Sequence, residues 1–234
     1  TVVSKNSFTA ARLAVGAVVA AVEQVSLGKW QNAFCAIRPP GHHAEVEQAM
    51  GFCLFNNVAI AAEWLRRKQR AERVLIIDWD VHHGNGTQNI FYERGDVFYF
   101  SAHQWPLYPG TGRAEETGNG AGAGTTQNLP IPPLTSEAEY LERFCEATRE
   151  IYESFQPEFT LISAGFDAHR DDPLAHLELT EAGFAALTDH VLSLSEKYCE
   201  HRVVSVLEGG YNLTALAQSV AAHLERILAA AKMT

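Results

Sequence analysis

Five short apolar runs, separated by helical patterns, constrain the fold of this chain more than any other feature. Each run is continuous and rich in Val, Ile, Leu or Phe, as are strands buried on both faces of a parallel sheet. A weaker sixth run, Thr125–Leu129, shows the same tendency. The five strong runs are Ala33–Ile37, Arg73–Ile77, Val97–Phe100, Phe159–Ser163 and Val203–Leu207.

Amphipathic patterns lie before, between and after these runs. Apolar residues recur at helical spacing in four segments, 10–25, 136–155, 184–198 and 213–227. Ser136 is the expected N-cap of the second segment. This alternation predicts a single α/β domain with an open, mainly parallel sheet, helices on both faces and right-handed crossovers.

One stretch, residues 104–133, interrupts the alternation. It is rich in glycine and proline, so one interpretation is a disordered linker. Trp105, Leu107 and Tyr108 lie inside it, and such side chains favour a long ordered loop. Because long loops in compact domains are usually functional, we expect this loop to contribute to a site.

The composition excludes several classes of protein. The 234 residues are 47% hydrophobic and 20% charged, which is enough to bury a core and untypical of disorder. The net charge of −10 argues against direct nucleic-acid binding and suits a cationic substrate. No window approaches the roughly 18 uncharged apolar residues of a membrane helix. The four cysteines form no CxxC pair, so we expect reduced thiols in a cytoplasmic protein.

Polar, ionisable or glycine-rich segments follow all five strong runs. Ligands bind outside the carboxyl ends of the strands in an open α/β sheet, so these segments are the candidates for a functional site. They begin at Arg38, Asp78, Ser101, Ala164 and Glu208.

Asp80 and His82 lie two residues apart at a strand end, where alternation places both side chains on one side. A carboxylate and an imidazole suit Zn²⁺, with Fe²⁺ or another first-row ion as an option. Asp167, at the end of another strand, is the best candidate for a third ligand. Three protein ligands leave a position for water, as in catalytic sites. From the Asp80 segment alone, a hydrogen-bond network that braces a turn is an equally good interpretation.

Two histidines and a tyrosine add further candidate chemistry. His42 and His43 could act as general acid and base, with Asp78 and Asn85 as partners for their far nitrogens. Tyr211 follows a Gly-Gly pair, from which its phenol could donate to a developing oxyanion. Taken alone, Tyr211 would more simply cap the last helix and pack on the sheet edge.

Six motifs, taken together and in this order, resemble the zinc-dependent histone deacetylase family, including its bacterial relatives and the acetylpolyamine amidohydrolases. Asn85 in the third motif looks like the class II branch. The similarity extends from about the first helix to the end of the chain and implies an arginase/deacetylase-like fold. The motifs are RPPGHHA, GFCLFNN, DWDVHHGNGTQ, PGTG, SAGFDAHRDDP and EGGYN.

The resemblance implies roles for individual residues. The zinc ligands match Asp80, His82 and Asp167, and the catalytic group matches His42, His43, Asp78, Asn85 and Tyr211. Asn85 stands where class I enzymes orient the second histidine with aspartate, which leaves His43 more readily neutral. The substrate tunnel and its rim match Gly51, Phe52, Tyr108, Leu174 and Gly210. The adjoining segment from Arg170 to Asp172 is expected to form a loop salt-bridge network.

The activity implied by the resemblance is removal of acetyl or another short acyl group from acyl-lysine side chains or acylpolyamines. A structural K⁺ is also implied, with Asp78, Ser101, Ala102 and the backbone oxygens of Asp80 and His82 as ligands. One alternative is a catalytically weak acyl-lysine binder. The other is an arginase-like ureohydrolase, which needs two Mn²⁺ ions and more carboxylates.

The resemblance also bears on the extent of the domain. It begins partway into the family pattern, so we expect residues 1–234 to form a deacetylase catalytic domain that is incomplete at its N-terminal side. An exposed edge strand or apolar face should then appear where the preceding segment would pack. The natural substrate and a possible homo-oligomer stay open, because both depend on variable loops.

Overall fold

The computed structural model describes residues 1–231, which build one six-stranded sheet. Its strands are β1 (Asn32–Cys35), β2 (Val74–Asp78), β3 (Val97–Gln104), β4 (Thr126–Ile131), β5 (Phe159–Ala164) and β6 (Val203–Leu207). All neighbouring strands are parallel, in the order β1-β6-β5-β2-β3-β4. The open parallel sheet predicted from the apolar runs is confirmed, and the weak sixth run forms β4.

Residues 1–231 also contain six α-helices. They are α1 (Ser7–Ser26), α2 (Asn57–Arg67), α3 (Asn85–Phe91), α4 (Glu137–Phe155), α5 (Glu181–Cys199) and α6 (Leu213–Ala231). The four helical segments predicted from periodicity correspond to α1, α4, α5 and α6. Ser136 caps α4 as predicted, because its Oγ accepts a hydrogen bond from the Glu139 amide at 3.3 Å.

Helices cover both faces of the sheet, because alternate side chains of a strand point to opposite faces. In β2, Val74 and Ile76 pack with α1, α2 and α3, whereas Leu75 and Ile77 pack with α4, α5 and α6. Every residue of β2, β3 and β5 is buried. Burial on both sides explains why these strands are continuous apolar runs rather than alternating patterns.

An apolar surface is exposed beside β1, the strand at one edge of the sheet. Phe8 and Leu13 of α1 are 62% and 70% exposed. The sequence analysis predicts no membrane helix, but α1 is long and apolar enough, by length and composition, to span a membrane. The core helix of a soluble protein passes the same test, and α1 packs against α2, β1 and β6.

The glycine- and proline-rich stretch of residues 104–133 is an ordered loop that includes β4, and the linker interpretation is wrong. Two buried histidines, one in the segment that follows β2 and one in β3, form hydrogen bonds with this loop. His83 Nδ1 lies 2.8 Å from Thr111 Oγ1, and His103 Nε2 lies 2.9 Å from the carbonyl oxygen of Gly112. The loop therefore holds Tyr108, the aromatic residue predicted for the tunnel, in a fixed place beside the strand ends.

Candidate active site

The segments that follow β2 and β5 meet at the carboxyl edge of the sheet. Asp80 and His82 come from the first segment, and Asp167 comes from the second. His82 Nδ1 lies 3.1 Å from both Asp80 Oδ1 and Asp167 Oδ2. All three residues are buried. The structure thus brings together the three side chains that the sequence suggests as metal ligands, which we call the ligand cluster.

The ligand cluster fits a metal ion. One donor atom from each residue lies within 4.8 Å of the other two. Donor atoms at tetrahedral angles on bonds of about 2.0–2.1 Å would be about 3.3 Å apart. The observed separation between the imidazole nitrogen and each carboxylate oxygen is 3.1 Å. Two carboxylates and an imidazole are, moreover, a donor set that zinc accepts.

The electrostatics of the cluster favour a bound cation. Burial raises the pKa of the Asp167 carboxyl to about 7, and the adjacent Asp80 charge contributes to this rise. Burial lowers the pKa of His82, but its hydrogen bonds to Asp167 and Asp80 outweigh burial and raise the pKa to about 10. The two carboxylates therefore stabilise positive charge between them, whether as a proton or as a metal ion that displaces it.

Two glycines leave room for the cluster. A Cβ atom at Gly165 would overlap Asp80, and one at Gly209 would overlap Asp167. Backbone amides hold the carboxylates in place. The Gly209 amide donates to Asp80 Oδ2 at 2.8 Å, and the Val81 amide donates to Asp167 Oδ1 at 2.9 Å. The orientation of both carboxylates is therefore set by the chain itself.

His42 is surrounded by carboxylates. Its Nδ1 lies 3.0 Å from Asp78 Oδ2, which also accepts a hydrogen bond from the Tyr99 hydroxyl at 3.0 Å. Its Nε2 lies 3.8 Å from Asp80 Oδ1. Burial lowers the pKa of His42, but the charges of Asp78 and Asp80 outweigh burial and raise the pKa well above its usual value. Asp78 therefore orients this ring and favours its charged form.

His43 has a different partner. Its ring centroid is 4.0 Å from that of His42, yet its Nδ1 lies 2.8 Å from the amide oxygen of Asn85. Burial, assisted by the charge on His42, lowers the pKa of His43 to about 3. The two adjacent histidines thus differ in charge preference because one pairs with a carboxylate and the other with a neutral amide.

A cavity of about 450 Å³ leads to His43 and His82. Its aromatic walls are close to the polar residues: the Tyr108 ring is 5.1 Å from the His43 ring, and the Phe52 ring is 6.2 Å from the Tyr211 ring. Gly210 is not part of the lining; it lies beside Leu216 of α6. The lining residues are Thr1, His43, Gly51, Phe52, His82, Leu107, Tyr108, Leu174 and Tyr211.

Asp172 accepts hydrogen bonds from the backbone of Tyr211 and of Leu174 at the cavity rim. Its Oδ2 accepts a hydrogen bond from the Tyr211 amide at 2.8 Å, and its Oδ1 accepts one from the Leu174 amide at 3.0 Å. The expected salt-bridge network of this segment is thus wrong for Asp172, which caps backbone amides instead. The carboxylate links the segment after β5 to the segment after β6, so it fixes where the phenol of Tyr211 enters the cavity.

Glu208 is a second buried carboxylate to which the sequence analysis gives no role. Its Oε2 accepts hydrogen bonds from the amides of Gly41 and His42 at 2.6 and 3.2 Å, and its Oε1 accepts from Ser163 Oγ at 3.1 Å. Burial raises its pKa to about 7. A glutamate directly after an apolar run, next to two glycines, is the signal that could have identified it. Tyr99, inside such a run, carries no comparable signal.

The family model described as "Histone deacetylase domain" matches residues 1–227 of this chain. The chain belongs to the histone deacetylase family. The family is zinc-dependent, which agrees with the ligand cluster. The arginase-like alternative has no support from this match, and in residues 1–231 a single group of three residues has the spacing of metal ligands.

Named relatives and solved structures agree with the family. A probable deacetylase from Archaeoglobus fulgidus is 47% identical over 88% of this chain and 57% of its own length. The chloroplastic histone deacetylase 14 of Arabidopsis thaliana is 42% identical over 97% of this chain and 55% of its own length. The acetylpolyamine aminohydrolase structure from Burkholderia pseudomallei has a TM-score of 0.89 at 40% identity, over 96% of this chain and 64% of that one. This deacetylase-family chain therefore spans about half the length of the curated relatives that it matches.

Proposed function

We propose that this deacetylase-family chain is a zinc-dependent amidohydrolase that removes acetyl or another short acyl group from acyl-lysine side chains or acylpolyamines. One observation carries the proposal: the ligand cluster, two differently partnered histidines and a tyrosine meet at the end of one apolar cavity. Relatives named as deacetylases, and a solved acetylpolyamine aminohydrolase, support the same chemistry.

Asp80, His82 and Asp167 are the residues that would hold the zinc ion. A zinc ion in such a site polarises an acyl carbonyl and lowers the pKa of a water molecule. Their carboxylates are oriented by backbone amides before any ligand arrives, so the chain need not reorganise on binding.

The two histidines have different parts in the proton transfers. His43 lines the cavity and has a neutral partner in Asn85, so it takes the proton of the attacking water as general base. His42 stays bound to Asp78, which keeps the imidazole oriented and supplies negative charge nearby. His43, assisted by His42, then protonates the leaving amine. The products are a short carboxylate and a free amine.

Tyr211 stabilises the negative charge that develops on the acyl oxygen when water attacks the acyl carbon. It lines the same cavity as His43 and His82, and its ring is 6.4 Å from the His82 ring. Burial raises the pKa of its hydroxyl above the usual value, so the phenol keeps its proton and can donate a hydrogen bond. A donor placed in advance in this way stabilises charge more than solvent water would.

The cavity suits a narrow chain with an acyl end. Phe52, Tyr108 and Leu174 offer apolar contact to the methylene stem of a lysine or a polyamine. The net charge of −10 favours the approach of cationic substrates of either class. Both substrate classes therefore belong to the proposal.

A structural K⁺ is a second part of the proposal. Asp78 and Ser101 are register partners on adjacent strands, and both are buried. Carboxylate, hydroxyl and backbone oxygens are the donors that a hard cation prefers. Asp78 also forms the hydrogen bond that orients His42, so an ion bound to Asp78 would help to position that histidine.

The proposal is tested with a panel of acyl-lysine peptides and acetylated polyamines, assayed with zinc and with a chelator. We expect hydrolysis of at least one class, lost on chelation and restored by zinc. A zinc-loaded protein that releases no acid from any substrate would contradict the proposal. Tight binding of an acyl-lysine peptide without product would instead favour the alternative of a catalytically weak binder.

A further inference from the structure

The partner of the second histidine is itself bound to a carboxylate that has no part in the mechanism above. Asn85 Oδ1 lies 2.8 Å from His43 Nδ1, while Asn85 Nδ2 donates to Glu45 Oε1 at 2.7 Å. The same Nδ2 lies 3.3 Å from Met50 Sδ. His43, Asn85 and Glu45 therefore form a continuous hydrogen-bonded chain, which we call the His-Asn-Glu chain.

Glu45 decides which way round the Asn85 amide lies. The oxygen and the NH₂ group of an amide have nearly the same shape, so its partners decide its orientation. A carboxylate only accepts hydrogen bonds, and a thioether is a weak acceptor. With the amide reversed, its oxygen would face both Glu45 and Met50, and neither could donate. The acceptors on the far side thus turn Oδ1 toward His43.

The amide orientation in turn decides the tautomer of His43. Because Asn85 Oδ1 can only accept, neutral His43 must carry its proton on Nδ1. The lone pair is then on Nε2. Within residues 1–231, no protein group forms a hydrogen bond with that nitrogen. His43 lines the cavity. A free lone pair facing a substrate cavity is what a general base requires.

The backbone brings the members of the chain together. The first turn of α3 packs closely on the segment that follows the histidines, and a Cβ atom at Gly86 would overlap the carbonyl of Ala44. Asn85 is the first residue of α3. On the other side, the Glu45 amide donates to the Gln48 carbonyl at 2.9 Å, which forms a turn that holds Glu45 in place.

We propose that Glu45 is a positioning residue: through Asn85 it selects the Nδ1-protonated tautomer of His43 and so leaves Nε2 free to act as the base. The catalytic consequence rests on the proposed function, but the tautomer can be measured without turnover. Glu45 is neither a lining residue of the cavity nor a member of the ligand cluster, and its hydrogen-bonded path to His43 runs through Asn85.

The tautomer is read by ¹⁵N NMR of the full chain labelled at histidine, both zinc-loaded and metal-free. In the unsubstituted protein we expect His43 as a single species protonated at Nδ1. In Glu45→Gln, the new amide can donate as well as accept, so Asn85 is free to turn and both tautomers should appear. The matched control is Glu47→Gln, which changes an exposed glutamate two residues away. An unchanged tautomer in Glu45→Gln would overturn the proposal.

Kinetics give a second test, with an outcome that a merely structural role of Glu45 would not produce. We expect Glu45→Gln to lower kcat about tenfold with KM nearly unchanged, and Glu47→Gln to change neither. In the Asn85→Asp background the new carboxylate fixes the tautomer by itself and repels Glu45. Glu45→Gln should therefore raise kcat in that background. A decrease in both backgrounds would overturn the proposal. If the unsubstituted protein hydrolyses nothing, the proposed function fails, and the NMR result alone decides on Glu45.

Discussion

The floor and the rim of the cavity are built in different ways. The floor, made of the ligand cluster with His42 and His43, is buried, and its polar groups are held by backbone amides and by side chains from several strand ends. The rim is made of Phe52, Tyr108 and Leu174, which are 56%, 46% and 46% exposed. They lie on loops, outside the helices and strands.

This difference separates chemistry from substrate choice. Groups that are fixed before the substrate arrives lower the barrier to reaction, so changes at the floor should act mainly on kcat. Groups that only contact the stem of a substrate bind ground state and transition state alike, so changes at the rim should act mainly on KM. Substitutions in the two regions should therefore separate into effects on kcat and effects on KM.

The largest effect should follow Asp167→Asn. The change removes one charge from the ligand cluster and puts an NH₂ group beside His82 or the Val81 amide. We expect loss of bound zinc and a fall in kcat/KM on the order of a thousandfold, since metal assistance contributes several kcal/mol. Zinc content and hydrolysis are measured together. The control is Asp189→Asn on the exposed side of α5; an Asp167→Asn protein with full zinc and full activity would contradict the assignment.

The next effect should follow Tyr211→Phe, which removes only the hydroxyl. We expect kcat to fall about a hundredfold or more with KM little changed, because the lost donor acts on charge that develops in the transition state. Zinc content should stay the same, since Tyr211 is not in the ligand cluster. Tyr198→Phe on α5 serves as the control. A rise in KM at constant kcat would place Tyr211 with the rim instead of the floor.

Much of the fold and the floor could be predicted from the sequence because both depend on local patterns. The buried strands are continuous apolar runs, and the residues after them must meet at one edge. Asp80 and Asp167 could therefore be paired before any contact was known. The helix α3 escaped prediction, since it is seven residues long, begins with Asn-Gly-Thr and contains poor helix formers.

The contacts of the supporting carboxylates could not be predicted, because they join segments far apart in the chain. Glu208 accepts from the Gly41 amide across 167 positions, and Asp172 accepts from the Tyr211 amide across 39. Neither contact leaves a spacing pattern in the sequence. The backbone conformation of one rim residue could not be predicted for another reason: Phe52 has φ of +66°, a left-handed conformation that bulky residues seldom adopt, and no pattern signals it.

Asp172 connects floor and rim, so Asp172→Asn should affect both. One oxygen that accepts from the Tyr211 or Leu174 amide becomes an NH₂ group that cannot accept. We expect kcat to fall and KM to rise, with kcat/KM lower by about tenfold, the scale of a lost supporting contact. Asp171→Asn, which changes the exposed neighbour, should have no such effect. A change in kcat alone would show that Asp172 acts on Tyr211 only, and would sharpen the boundary between the two regions.

The smallest effect should come from the rim, where Leu174→Ala removes apolar contact and no polar group. A half-exposed leucine contributes only part of the roughly 1.5–3 kcal/mol of a fully buried one. We therefore expect KM to rise about threefold with kcat and zinc content unchanged. The effect should be larger for a substrate with a long methylene stem than for one with a short stem, since only the long stem reaches the Leu174 side chain. The backbone amide of Leu174 donates a hydrogen bond to Asp172, so Asp172 positions the Leu174 side chain. The double variant of Leu174→Ala and Asp172→Asn should therefore raise KM little beyond Asp172→Asn alone. Additive effects on KM would mean that Asp172 does not act on the rim through Leu174.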